Sequence, residues 1–258
     1  MLLAFDVGNT TIAIGLFRGR KLVKSWKIET DSDKTSDEYG VLLLSLMQAA
    51  ALPAGKITGS IISSVVPPLT PVIEEVCRST FGTEACVVGP GLKTGMPILY
   101  ETPLEVGADR ITASVAAFEK YGGPTIVLDF GTATTFDAVS AKGEYLGGAI
   151  APGVRISAEA LYRRTAKLPR IEVRKPKRAI GRTTVASMQS GLYFGYIGLV
   201  TRLIEEIRKE LGAEARVVAT GGFGGPLATE LDVIEAYEPD LVLEGLRIIY
   251  DRNRDARS

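Results

Sequence analysis

Histidine is absent from all 258 residues. Without an imidazole there is no Ser/His/Asp or Cys/His nucleophile and no HExxH metal helix, so any proton transfer must fall to carboxylate, lysine, tyrosine or water. Cysteine is nearly absent too: Cys77 and Cys86 are too few for a disulfide framework or a four-thiolate zinc site. Charge of one sign is missing, since 30 Lys and Arg balance 30 Asp and Glu. That argues against a general polyanion binder and against a membrane-surface protein. Long apolar runs are missing as well. The greasiest stretch, Val41 to Leu52, is interrupted by Ser45 and Gln48 and is too short to span a bilayer. The opening MLLAF reaches Asp6 with neither the basic region nor the apolar run of a secretory signal, so a cytoplasmic protein with reduced thiols is expected. What remains is an average globular composition, 46% hydrophobic and 23% charged, on a chain long enough to bury a core.

Strand and helix signals alternate in two rounds. Leu2 to Asp6, Ile12 to Phe17 and Lys21 to Glu29 form a predicted meander. A helix over Ser36 to Ala51, a strand over Gly59 to Val66, a helix from Pro67 to Phe81 and a short strand over Ala85 to Val88 follow. A second meander begins at Thr125 with Ile126 to Asp129, Thr134 to Ser140 and Glu144 to Ala151. Helices over Gly153 to Arg164 and Thr184 to Leu211, a strand over Arg216 to Ala219 and a closing helix over Glu238 to Tyr250 complete it. The restart also shows in residues: DVGNTT at Asp6 to Thr11 aligns with DFGTAT at Asp129 to Thr134, and SIISSV from Ser60 matches RVVATG from Arg216 in type. A duplicated α/β unit implies two lobes, 1–115 and 116–258, with a ligand cleft between them.

An Asp at a strand end, then glycine, then small hydroxyl residues, has a definite use. Glycine lets the backbone approach a phosphate, turn N–H groups and Thr or Asn side chains donate to its oxygens, and the carboxylate holds a cation directly or through water. Asp-Gly is also an ordinary hairpin signal, but two copies at matching places could clamp one polyphosphate. The Walker A and GxGxxG patterns are both missing. Thr220-Gly221-Gly222 follows an apolar strand, where a side-chain-free surface could admit a flat purine or simply form a loop. Between the halves, Gly107-Ala108-Asp109-Arg110 opens a helical run; Asp109 suits a helix cap, or a carboxylate receiving a hydroxyl proton beside an anion-fixing guanidinium.

Taken in order, DVGNT (Asp6 to Thr10), GADR (Gly107 to Arg110), DFGTATT (Asp129 to Thr135) and TGG (Thr220 to Gly222) resemble the type III pantothenate kinases over nearly the whole chain. The resemblance implies duplicated ribonuclease-H-like domains of the actin, heat-shock chaperone ATPase and sugar kinase superfamily, with ATP in the interdomain cleft. It implies transfer of the ATP γ-phosphate to the primary hydroxyl of pantothenate, the first step of coenzyme A synthesis. Asp6, Val7, Gly8, Asn9, Thr10, Thr11, Ile12 and Ala13 would then form one phosphate turn, with Asp6 toward magnesium, and Thr132 the other. Asp129 would hold potassium or ammonium, and Gly221 and Gly222 would border the adenine. Asp109 would be the proton acceptor, while Tyr100, Gly107, Ala108 and Arg110 would contact pantothenate, with Thr184 contributing across a homodimer interface. A sugar kinase of the same superfamily, or a regulatory relative that binds nucleotide without turnover, is the alternative.

Two features lie outside the motifs. Val185, Met188, Leu192, Tyr196, Leu199, Leu203 and Ile207 are spaced as one buried stripe of the long helix, while Ser187, Gly191, Gly195 and Gly198 form a groove of small residues on another face. Interior glycines weaken a helix, so close approach is expected there, by internal packing or by a second copy. Arg163 to Arg182 holds nine basic residues and one acid, Glu172, but no aromatic beyond Tyr162 at its edge to stack a base. A solvated loop is expected, or mild attraction of anionic substrates.

Overall fold

The computed structural model describes residues 1–222 and 230–254 and divides into two compact units, Met1–Lys120 with the chain from Asp240 onward, and Tyr121–Pro239. The first unit opens with β1 (Leu2–Val7), β2 (Thr11–Arg18) and β3 (Lys21–Glu29), continues through α1 (Ser36–Ala49), β4 (Gly59–Ser64), α2 (Thr70–Phe81) and β5 (Ala85–Val87), and reaches α3 (Ala108–Tyr121). Its strands run in the order β3-β2-β1-β4-β5. β1 is central and almost wholly buried, as a continuously apolar strand must be when both faces are covered. β3 is the edge, where Lys21, Lys24 and Lys27 discourage pairing with another sheet. Thr35 caps α1 in a reciprocal box with Glu38, and Gly82 ends α2 in the left-handed region.

The second unit repeats this plan with β6 (Thr125–Phe130), β7 (Ala133–Val139), β8 (Tyr145–Pro152), α4 (Val154–Arg164), α5 (Thr184–Leu211), β9 (Arg216–Thr220) and β10 (Ala236–Tyr237). The sheet order is β8-β7-β6-β9-β10, the counterpart of the first. Both meanders shift register late in their second strand, at Leu16/Phe17 and at Ala138/Val139. These are the duplicated α/β units expected from the chain's restart, in the ribonuclease-H-like arrangement that the resemblance implies.

Register corrects the alignment in two places. The first hairpin closes at Val7 and Ile12 around residues 8–11, the second at Phe130 and Thr134 around 131–133, so the second turn is one residue shorter. Asp6 lies beside Ser63 and Asp129 beside Thr220, so SIISSV matches the second-unit strand one residue later than the text alignment has it. Two apolar strands of similar type look alike at either offset; hydrogen bonding to the central strand decides.

The closing helix α6 (Leu241–Arg254), expected in the second lobe from its place in the chain, packs on the first unit's sheet. Leu243 crowds the space above Gly15, and Tyr250 fills the space above Gly59, where a side chain would collide with its ring. α6 thus covers the face of the first sheet away from α1 and α2. On α5 the core face is Tyr193, Tyr196, Val200 and Ile204, with Leu199, Leu203 and Ile207 at its flank. The expected stripe is therefore displaced by about one position, and Val185 is exposed. Among the described residues no helix is long and apolar enough to cross a membrane.

Candidate active site

In the first unit the site residues gather where β1 and β4 end. Their carboxyl ends flank the point where the chain order along the sheet reverses, the usual ligand position in an α/β sheet. Asp6 is half-buried, paired with Ala13 on one side and Ser63 on the other, so all three share one face. Beyond it the turn is fixed from beneath: Gly8 N–H donates to Thr11 O at 3.1 Å, Thr30 Oγ1 donates to Gly8 O at 2.6 Å, and Thr30 N–H donates to Thr10 O. Asn9, Thr10 and Thr11 stand exposed at the tip. Val7 and Ile12 are fully buried in the core under α1 and α2, so their side chains anchor the turn and cannot face a ligand.

Asp109 sits in the first turn of α3. Arg110 and Ile111 N–H both donate to Gly107 O, which makes Gly107 the cap, while Asp109 Oδ1 accepts from Arg110 N–H at 2.8 Å. A Cβ on Gly107 would strike that carboxylate and touch Val65 just past β4. The glycine is therefore what lets the Asp109 carboxylate fold back toward the end of β4. Two influences oppose each other on this acid. Burial raises its pKa, the Arg110 N–H and the Arg110 charge lower it, and burial prevails, leaving it above the ordinary 3.8. Ala108 and Arg110 are half-buried, and Tyr100 is exposed on the loop before α3.

The second unit builds its own turn. Asp129 is half-buried and paired with Thr135 and Thr220, Gly131 and Thr132 are exposed at the tip, and Gly153 N–H, where α4 begins, donates to Thr132 O at 3.2 Å. Gly221 has φ +93°, and a Cβ there would run into Asp129 Oδ1 and the Phe130 backbone. Tyr237 OH donates to Gly221 O at 2.8 Å, and Tyr196 OH shares a hydrogen bond with buried Thr134. Burial chiefly raises the Tyr196 pKa; the Thr134 bond opposes this and the nearby Asp129 charge adds to it. Gly222 is exposed, and among the described residues nothing occupies the space where a side chain would go. Thr184 opens α5, capped by Thr183, and is exposed.

Sequence reasoning missed the braces: Thr30, Ser63, Gly153, Tyr196 and Tyr237. Tyr196 was visible as a member of an apolar stripe, but nothing in a linear pattern distinguishes a core tyrosine from one whose hydroxyl supports a turn. For a divalent ion the donor set is lean. Among the described residues no three His, Cys, Asp or Glu side chains gather to hold a metal. That suits magnesium, which keeps waters and substrate phosphates as ligands and asks the protein for one or two carboxylates. The Ser63 hydroxyl, in register with Asp6, is fully buried and has no hydrogen-bond partner among the described residues. A cavity of about 470 Å³ lined by Gly59, Cys86, Tyr250 and Arg254 lies at the opposite end of β4 and contains none of these groups.

A family model described as type III pantothenate kinase matches residues 2–206. A relative of that name from Moorella thermoacetica is 53% identical over 253 residues, 98% of this chain and 100% of its own. One from Geobacter sulfurreducens is 53% identical over 255 residues, 99% of this chain and 100% of its own. Among solved structures, one described as a candidate 2-dehydro-3-deoxygalactonokinase from Sinorhizobium meliloti superposes with TM-score 0.58 at 11% identity, covering 98% of this chain and 99% of its own, a likeness of fold alone.

Proposed function

The chain belongs to the type III pantothenate kinase family, and from that premise we propose how its residues divide the transfer of the ATP γ-phosphate to the primary hydroxyl of pantothenate. The observation that carries the division is the repeated pairing of a strand-end aspartate with a glycine turn, Asp6 in one unit and Asp129 in the other. Phosphoryl transfer needs positioning and charge stabilisation more than strong acids or bases, which a histidine-free chain can supply.

The first turn, with Asn9, Thr10 and Thr11 at its tip, donates to the phosphates, and Thr132 with its neighbouring backbone does the same from the second unit. Gly221 and Gly222 leave room for the adenine. Asp6 would hold magnesium, and Asp129 would hold a potassium or ammonium ion. When bound, these ions neutralise charge on the phosphate oxygens. Asp109 orients the acceptor hydroxyl and takes its proton late, because a carboxylate is far too weak to ionise an alcohol beforehand. Burial raises its pKa, which makes the carboxylate a better base than an ordinary aspartate. Arg110 offers a guanidinium to the pantothenate carboxylate, and Tyr100, Gly107 and Ala108 complete that pocket.

Thr184 joins from a second copy of the chain. It shares one face of α5 with Ser187, Gly191, Phe194 and Gly198, all exposed, and among the described residues no neighbour fills the space above Gly191 or Gly198. Their lack of side chains answers no packing need within the chain, which favours a homodimer seam. We place the reaction in the cytoplasm, where ATP is supplied. ADP release in the presence of magnesium and potassium tests the whole reading: turnover should require pantothenate. Turnover with a sugar instead, or none with either acceptor, would overturn it.

A further inference from the structure

We propose that Ser63 is a positioning residue for the nucleotide, its hydroxyl donating to the Asp6 carboxylate when magnesium-bearing ATP is seated. The inference rests on the reading of Asp6 given above. Three observations carry it. Ser63 Oγ is fully buried and makes no hydrogen bond among the described residues, although a buried hydroxyl without a partner destabilises the fold that contains it. Parallel register places Ser63 directly beside Asp6 on the same face of the sheet, close enough for the two side chains to meet across the strands. The second unit repeats the arrangement independently, with Thr220, itself 2% exposed, beside Asp129.

An alanine would fill this place in the sheet without the cost of an unbonded hydroxyl. Immediately beyond it, Ser64 shows what a structural serine does here: its hydroxyl accepts from Val66 N–H and from Thr70 Oγ1. Ser63 has no such duty. Turning the Asp6 carboxylate to accept from Ser63 Oγ would fix one carboxylate oxygen inward and aim the other out of the sheet, toward the turn at residues 8–11. The fold carries the unbonded hydroxyl in the unliganded state, and seating the nucleotide relieves it.

The test is calorimetric titration of ATP, with and without magnesium, into wild type, Ser63→Ala, Ser63→Thr and Asp6→Asn, together with thermal unfolding of each unliganded protein. Ser63→Ala should bind magnesium-ATP on the order of tenfold more weakly, since a hydrogen bond to a charged group is lost. Its affinity for metal-free ATP should change less than twofold, and its unliganded melting temperature should not fall. Ser63→Thr should bind like wild type, since Thr220 shows that the equivalent place accepts a threonine. If Ser63→Ala does not accumulate, Ser63→Cys, nearly isosteric but a weak donor, should give the same affinity pattern. Unchanged magnesium-ATP binding by Ser63→Ala while Asp6→Asn loses it overturns the role of Ser63 alone. A lowered melting temperature with equal losses for both forms of ATP makes Ser63 a packing residue and also overturns it. Unchanged binding by Asp6→Asn overturns the reading of Asp6 itself.

Discussion

For Asp109, proposed above as the proton acceptor, the environment sets the working range. Burial disfavours the carboxylate more strongly than the Arg110 N–H and guanidinium favour it, so the group titrates above 3.8. The base must be ionised, so kcat/KM should fall with acidification through an apparent pKa above that of a free aspartate, and Asp109→Asn should abolish that limb. Its kcat should drop by about 10²- to 10⁴-fold, the usual range for a positioned base, with ATP affinity unchanged. Stability follows the opposite sign. A pKa raised on folding stabilises the fold below 3.8 and loses that contribution as pH rises through the folded value, so a neutral Asn should not lower the melting temperature at pH 7. Turnover near wild type would remove Asp109 from the mechanism. The acid was legible in GADR by residue type, whereas Ser63 was not, because a serine inside SIISSV reads only as one more strand residue until register sets it beside a carboxylate.

Among the elements, the two hairpins show which parts of a duplication sequence can disclose. Asp6 and Asp129 announce equivalent turns, but the lost residue in the second turn and the one-position slip between β4 and β9 emerge only from hydrogen-bonded pairs. The slip matters because it selects which hydroxyl faces each aspartate. Gly221 beside Asp129 is a tight joint of the second turn. A non-glycine residue at φ +93° is strained, and a Cβ would also displace Asp129 Oδ1 and the Phe130 backbone. Gly221→Ala should therefore lower the free energy of urea unfolding by about 2 kcal/mol or more and raise the KM for ATP. Gly222→Ala, with open space at its Cβ, should sit within about 0.5 kcal/mol of wild type in the same measurement. Equal behaviour of the two variants would contradict the proposed joint.

For the molecule as a whole, chain order misled in one respect and proved informative in another. An apolar face on α6 (Leu243, Leu246 and Ile249) says that the helix is buried but not against which sheet; the small residues Gly15 and Gly59, far earlier in the chain, made its place. On α5 the expected stripe began at Val185, which this chain leaves 42% exposed, and Phe194, outside that stripe, is 41% exposed. An exposed aromatic beside a groove of glycines is unfavourable for an isolated chain: each interior glycine costs about 0.5 to 1 kcal/mol relative to alanine. A second copy laid along that face would bury Phe194 and bring its own Thr184 to the neighbouring site. Phe194→Glu places a charge at the centre of this seam, where pairing would have to desolvate it. Sedimentation should show a dimer for wild type at micromolar concentration and a monomer for Phe194→Glu. If Thr184 acts across the seam, the monomer should raise the KM for pantothenate while leaving ATP affinity within about twofold, because the first and second turns lie wholly within one chain. A wild-type monomer, or a Phe194→Glu monomer with unaltered pantothenate kinetics, would remove the partner subunit from the site.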